Sequence, residues 1–241
     1  MCQDQDKIIE CKDVTVAADE RYSLGLRDFS LCLGPGEVAV ISVSQPGISI
    51  PLADLCSGLT SPDSGSILFL DRSWTERPHS QAARDRGRIG RVHCQTAWVS
   101  NLDVDENILL PQWYHTHRAL AEIRGEAESL ARQFGLDTLP QTRPAWTSDE
   151  ILCKSQWIRA LMGPPELLIL DSPETMSHEL DRIALIEAVE QARGQGTAVI
   201  WLTSHTPPVF TDRTDGVTFY SLVNSSQEAH CLTLTKDKVH E

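Results

Sequence analysis

Apolar and polar residues alternate over 7–16 and again over 26–33 ("LRDFSLCL"), the period of half-buried strands. Pro35-Gly36 sets a turn, and "EVAVISV" (37–43) is a β-branched run suited to a strand covered on both faces. From Leu52 to Leu59 the apolar residues fall at helical spacing. "GSILFLD" (65–71) returns to strand, a polar, Arg-rich loop is expected over 72–88, and "RIGRVHC" (88–94) reads as another strand.

The pattern changes after Gln95. "DVDENILLPQWYH" and "RALAEIRGEAESLARQFGL" (118–136) are helical, the second with Leu120, Ile123, Ala127, Leu130, Ala131 and Phe134 on one stripe. Pro140 and Pro144 mark a loop. Thr147-Ser148-Asp149-Glu150 has the form of a helix start, a hydroxyl cap before an acidic first turn. "ELLILD" (166–171) predicts a strand, 178–194 a helix closed by Gly194 and Gly196, and "TAVIWLT" (197–203) a buried strand. "GVTFYSLV" and "HCLTLT" predict a closing hairpin-like pair. Strands alternating with helices predict an α/β domain with a mainly parallel sheet and an antiparallel N-terminal part. The strand-free block 96–159 is expected to be a helical lobe inserted into a core formed by 1–95 and 160–241.

Composition narrows the classes. The 241 residues are 41% hydrophobic and 23% charged, as in ordinary globular domains. No apolar run approaches the roughly 18 residues that span a bilayer, and the acidic start lacks a secretory pattern. A net charge of −13 argues against a nucleic-acid surface. Seven scattered cysteines include no C-x-x-C pair, and Cys32, Cys56 and Cys153 lie in apolar runs, which reads as small buried thiols in a reducing cytoplasm. His115 and His117 alternate on a helix and face different ways, so no metal site is expected from them.

Residues 43–65, "VSQPGISIPLADLCSGLTSPDSG", have the frame of a phosphate-binding loop: a β-rich run before, an apolar helical run behind and a closing turn. Such loops work through G-x-x-x-x-G-K-[ST], in which backbone N–H groups cradle phosphates, lysine neutralises them and a hydroxyl holds magnesium. With this frame, "IIECKDVTV…LRDFSLCLGPGEVAVIS", "LCSGLTSPDSGSILFLD", "RIGRVHCQ", "LDVDENILLP", "RALMGPPELLILDSP" and "GTAVIWLTSH" stand in order at the right separations. Together they resemble the ATP-binding subunit of ABC transporters over nearly the whole chain. The resemblance implies a P-loop NTPase-type fold whose Q-loop leads into the helical lobe.

Against that family pattern the nucleotide positions depart. Ser49 stands at the lysine position and Ile50 at the hydroxyl position, Pro51 follows where the helix should begin, and Gly47 alone remains of the loop glycines. The signature Leu-Ser-Gly-Gly corresponds to Thr147-Ser148-Asp149-Glu150. Carboxylates there would oppose a γ-phosphate across a dimer, by about 1–4 kcal/mol at 4–6 Å. In the Walker B segment Asp171 is kept, but Ser172 takes the place of the glutamate that activates water. Gln95 stands at the Q-loop position and His205 at or next to the switch position. The adenine-stacking aromatic is missing, with Ala18 near its place and Tyr22 four residues on. Gln95, Ser148, Asp171 and His205 each also have a structural reading, as strand-end, cap or turn residues.

The resemblance therefore implies a degenerate ATP-binding subunit, with weak or absent hydrolysis, peripheral on the cytoplasmic face of the inner membrane. Its implied partners are transmembrane permease subunits, with a competent ABC ATPase or a homodimer mate. Trp98, Asn101, Trp113 and Tyr114 in "TAWVSNLDVDENILLPQWYH" would line the permease groove. "SNLDVDEN" is loosely similar to ATPases of MCE-type lipid transport. Two alternatives stay open: a divergent active ATPase, which would use ATP and magnesium but has no Lys or Arg in 40–60, and a soluble scaffold with no transporter.

Overall fold

The computed structural model describes residues 7–43, 48–94, 97–173, 179–204, 215–224 and 230–237, with backbone alone at 179 and 180. Among these residues ten strands form a single sheet. They are β1 (Ile9–Val16), β2 (Gly25–Leu33), β3 (Val38–Val43), β4 (Ser64–Phe69), β5 (Arg72–Ser73), β6 (Ile89–Val92), β7 (Leu167–Asp171), β8 (Ala198–Thr203), β9 (Val217–Asn224) and β10 (Cys231–Lys236). The spatial order is β5-β4-β1-β2-β10-β9-β3-β8-β7-β6. The β5-β4-β1-β2 part is antiparallel, whereas β9-β3-β8-β7-β6 is parallel. A short parallel pairing, Cys231 with Gly25 and Leu232 with Leu26, joins the two parts.

The central parallel strands β3, β7 and β8 carry near-continuous apolar runs because helices and the antiparallel part cover both faces. Alternation within each run divides the core. Leu168 and Leu170 of β7, with Val199 and Trp201 of β8, face one side with the lobe's helices. Leu167 and Ile169, with Ala198, Ile200 and Leu202, face the other with β1 and β2. A one-residue slip would exchange the faces, so the register is strongly fixed.

The helices are α1 (Leu52–Cys56), α2 (His79–Arg86), α3 (Val104–His115), α4 (Leu120–Gln133), α5 (Asp149–Leu161) and α6 (Glu179–Gly194). In the lobe, Ile123, Ala127 and Ala131 of α4 are buried, and Phe134 meets Trp157 edge-on with centroids 5.4 Å apart. Asp103 and Glu106 form a reciprocal capping box at the start of α3. Two close approaches fix the lobe on the core. A Cβ on Gly90 would sit 1.9 Å from the Ala160 carbonyl oxygen, so β6 lies directly against α5. The Gln112 carboxamide occupies the space beside Gly163, whose φ is +64°.

Two local expectations change. The segment 72–88 is not a loop: it holds β5 and α2. Only Ala82 and Asp85 of α2 are buried, so no apolar stripe announces it. It is held by polar contacts instead. Buried Arg77 donates to Asp85 and to the Phe69 carbonyl and stacks on Trp74, while Arg86 Nη2 donates to the Gly58 carbonyl at 2.6 Å. The helix after the phosphate-loop frame ends at Cys56, three residues before the apolar run does. Of the cysteines placed in apolar runs, Cys56 and Cys153 are buried and Cys32 is half-buried. No helix among the described residues is long and apolar enough to cross a membrane.

Candidate functional site

At the C-terminal ends of the parallel strands, where ligands bind in open α/β sheets, lies a cleft of about 290 Å³. Its lining includes Tyr22, Ser49, Ile50, Asp54, Arg91 and Asp171. Residues of the phosphate-loop frame and of the Walker B segment thus line one cleft.

The cleft is crossed by a network the sequence did not announce. Tyr22 Oη donates to Asp54 Oδ2 at 2.7 Å, and Arg91 Nη1 donates to Asp54 Oδ1 at 2.5 Å. Burial alone would raise the Asp54 pKa, but the Tyr22 and Arg91 hydrogen bonds hold it below the usual carboxylate value. Burial, then the Asp54 hydrogen bond, pushes Tyr22 up to about 12. Tyr22 is therefore not an exposed ring for stacking; it is 4% exposed and turned onto Asp54. The absence of Lys and Arg from 40–60 is also made good in space, since Arg21 and Arg91 reach the cleft from elsewhere in the chain. Arg21 is paired with Asp19 at 3.0 Å, however, and Arg91 with Asp54.

Ser49 is exposed, and Ile50, half-buried at the cleft wall, packs against the buried cluster under β1 and β2 and offers no polar atom to a ligand. Pro51 caps α1 without a side-chain hydrogen bond, and this helix has only five residues, so its dipole is weak. Asp171 ends β7 and lines the cleft; Ser172 follows in a left-handed conformation with φ of 50°. Gly47, Gln95 and His205 lie outside the described residues. His93, beside the cleft, is driven down to about 4 by burial and by the charges of Arg91 and Arg159, so it is neutral at pH 7.

At the signature position Ser148 caps α5, its hydroxyl accepting from Ile151 N at 3.5 Å. The two carboxylates behave differently. Both are exposed, but Glu150 turns back to Lys154 at 2.9 Å, with Lys154 also holding Asp181 of α6 at 2.9 Å, and no such pair is found for Asp149 among the described residues. Trp146, just before them, is 82% exposed.

A second cavity, of about 240 Å³, separates β6 from α3 and is lined by Arg91, His93, Val99, Leu110, Pro111 and Arg159 among others. Of the residues predicted for a partner groove, Trp113 and Tyr114 are 62% and 76% exposed on α3. Trp98 is half-buried under the Arg159 guanidinium, 4.6 Å from its ring, and Asn101 uses its carbonyl to hold Arg143. None of these four forms the cavity wall. Arg159, Leu110 and Val99, which do, carried no sequence signal beyond an apolar or basic identity.

Comparison with known proteins agrees with the motif order. A family model described as ABC transporter matches residues 26–175. The chain is 24% identical over 194 residues to YphE of Escherichia coli K12, an uncharacterized ABC transporter ATP-binding protein, covering 78% of this chain and 38% of that one. It is 27% identical to the macrolide export ATP-binding/permease protein MacB of Campylobacter jejuni, over 76% of this chain and 28% of that one. It is 27% identical to the lipoprotein-releasing system ATP-binding protein LolD of Idiomarina loihiensis, over 70% of this chain and 75% of that one. The chain thus spans well under half the length of the first two relatives. Among solved structures, the dimeric bacterial ABC transporter cassette MJ0796 superposes with a TM-score of 0.73 at 19% identity, covering 88% of this chain and 94% of the other.

Proposed function

Because the chain belongs to the ABC transporter family, we propose that it is an ATP-binding-type subunit of a membrane transporter whose own nucleotide site is vestigial, and that it acts as a structural or regulatory partner. The observation that carries this reading is the Arg91–Asp54–Tyr22 network across the cleft.

The described residues do not fit a magnesium triphosphate. A carboxylate stands on the helix behind the loop, the Arg91 guanidinium is committed to it, and the position of the metal's hydroxyl ligand is a half-buried isoleucine packed against the core. Asp171 offers a carboxylate to the cleft, but Ser172 beside it cannot act as a general base. A divergent active ATPase would require cationic charge at the loop; Arg91 supplies it in position but spends it on Asp54. For that reason we favour the vestigial reading.

By the same inference the subunit works on the cytoplasmic face of the inner membrane, docked on transmembrane permease subunits, with hydrolysis supplied by a competent ABC ATPase where transport needs it. A lipid cargo has two supports, the "SNLDVDEN" stretch and the similarity to a lipoprotein-releasing subunit. MacB, similar to the same degree, exports macrolides, so the cargo follows from the permease rather than from this chain.

Thermal unfolding with and without magnesium ATP tests the proposal. A ligand present at about a thousand times its Kd stabilises by about 4 kcal/mol, a rise of several degrees. No shift at millimolar ATP is expected; a rise abolished by chelating magnesium contradicts the vestigial reading.

A further inference from the structure

Two thiols meet in the core beneath the antiparallel strands. Cys11 of β1 and Cys56, the last residue of α1, are free, buried and members of one apolar cluster. Register explains the meeting. Cys11 stands opposite Leu31 of β2 and Ile67 of β4, on the face of the sheet that α1 covers. Cys32 is kept out of the pair, because strand alternation turns it to the other face, across from Glu10. A hydrogen bond joins Cys11 to Cys56. That bond, and then burial, holds the Cys11 thiol well above its ordinary pKa, so Cys11 keeps its proton at neutral pH.

A small molecule can reach this pair. A cavity of about 50 Å³ adjoins it, with walls that include Leu55, the neighbour of Cys56, and Ile67, the register partner of Cys11. The other walls are partly polar, with Thr60 and Ser66 among them. The Trp74 indole also lines the cavity, and its N–H is buried with no acceptor among the described residues. Roughly 10–15 Å³ of such space admits one water, so the cavity takes a molecule the size of hydrogen peroxide but not a tripeptide disulfide.

We propose that Cys11 and Cys56 form a site of reversible oxidation, at which hydrogen peroxide links the two sulfurs and a small dithiol separates them again. This goes beyond the reading above and does not rest on it. Cys56 is the sulfur oxidised first, since a thiol that holds its proton is the poorer nucleophile. The peroxide O–O bond breaks, one oxygen passes to Cys56 as a sulfenic acid, and the other leaves as water. The Cys11 sulfur then attacks the sulfenic sulfur, its proton leaves with the displaced hydroxide as a second water, and the S–S bond closes. Two thiols are oxidised and one peroxide is reduced to two waters. The link fastens β1 to the end of α1, beside Asp54, and so fixes the helix that carries the Arg91–Asp54–Tyr22 network.

The test treats the reduced full chain with hydrogen peroxide at neutral pH, blocks the remaining thiols by alkylation and maps the peptides by mass spectrometry. The folded protein should yield a linked Cys11–Cys56 peptide that dithiothreitol returns to two free thiols. Its thermal midpoint should rise by several degrees on oxidation, because the link closes a long loop of the unfolded chain. Cys11→Ser should stop at a sulfenic acid on Cys56, trapped by dimedone. Glutathione disulfide should leave the pair reduced while the chain is folded. Oxidation confined to the exposed Cys94, linkage of Cys32 in place of either partner, or a Cys11–Cys56 link that forms only after unfolding overturns the proposal. So does a link that glutathione disulfide makes as fast as peroxide does. The peptide map uses the unmodified protein, so it decides the matter even where Cys11→Ser fails to fold.

Discussion

Arg91 Nη1 lies 2.5 Å from Asp54 Oδ1, tying the end of β6 to the short helix behind the phosphate-loop frame. The pair is mostly withdrawn from water, with side chains 16% and 29% exposed. Removing one partner leaves the other charge in a poorly solvated cleft, which costs more than the intact pair contributes. Asp54→Ala should lose about 2–4 kcal/mol in denaturant unfolding, because it strands Arg91 and also takes the acceptor from Tyr22. Arg91→Leu should cost less, since Tyr22 still satisfies Asp54. The Asp54→Ala/Arg91→Leu double variant should be more stable than the sum of the two losses by about 1–2 kcal/mol. Strict additivity would mean that the pair carries no coupling.

His93 gives the protein an acid-side weakness. Its folded pKa, about 4, lies below the ordinary 6.5, chiefly through burial and then through Arg91 and Arg159. Between those values the unfolded chain binds a proton that the folded chain does not, so stability rises with pH across this window. As pH falls from 6.5 to 4 the protein should lose at most about 3 kcal/mol to this group, less as solvent screens it. Asp54 adds to the loss below that range, because its folded pKa is lowered and its stabilisation disappears on protonation. Unfolding midpoints measured from pH 7 to 4 should show the decline, and His93→Gln should flatten the part above about pH 4.5. An unchanged profile in His93→Gln would remove the histidine from the account.

Gly90 is the tightest point between core and lobe. With the Ala160 carbonyl oxygen 1.9 Å from the position of a Cβ, Gly90→Ala must push β6 off α5. Overpacking against backbone costs about 1–3 kcal/mol or more. Because β6 carries Arg91 and His93, the variant should also weaken the Arg91–Asp54 coupling in the same cycle. A neutral Gly90→Ala would show that β6 has room to shift.

Much of this fold could be read from the chain because burial and periodicity agree there. β3, β7 and β8 are near-continuous apolar runs whose odd and even residues feed different cores, and Ser148 caps α5 as its hydroxyl and acidic first turn suggest. α2 could not be read, since polar anchoring by Arg77 and Arg86 replaces an apolar stripe. Ser49, Ile50 and Asp171, singled out through the family resemblance, line one cleft. The network that fills it could not be read, because Tyr22, Asp54 and Arg91 are separated by 32 and 37 residues and are joined only by the sheet. Charge read within a window of sequence missed Arg91 for the same reason, and Glu150 could not be distinguished from Asp149 until α6 brought Asp181 to Lys154.

Restoring part of the phosphate loop should not restore turnover. Ser49→Lys with Ile50→Thr returns a cation and a hydroxyl, yet Asp54 still faces the new lysine and Ser172 still provides no carboxylate. Phosphate release from the double variant should stay at background. Measurable hydrolysis would show that another residue serves as base.

Assembly should be indifferent to nucleotide. An ATP-bridged homodimer needs the loop of one subunit and the signature helix of the other, and here the exposed Asp149 would confront the phosphates. The mass measured by light scattering after size exclusion should be the same with and without magnesium ATP. A shift to dimer mass that is lost on replacing Ser148 would show that the signature still functions.

The vestigial reading stands or falls most directly on equilibrium binding of labelled ATP to the purified chain in the presence of magnesium. The Arg91–Asp54–Tyr22 network and the apolar Ile50 at the hydroxyl position predict no saturable binding below millimolar ATP, and none that depends on magnesium. Saturable binding at micromolar ATP, lost on chelation, would contradict it.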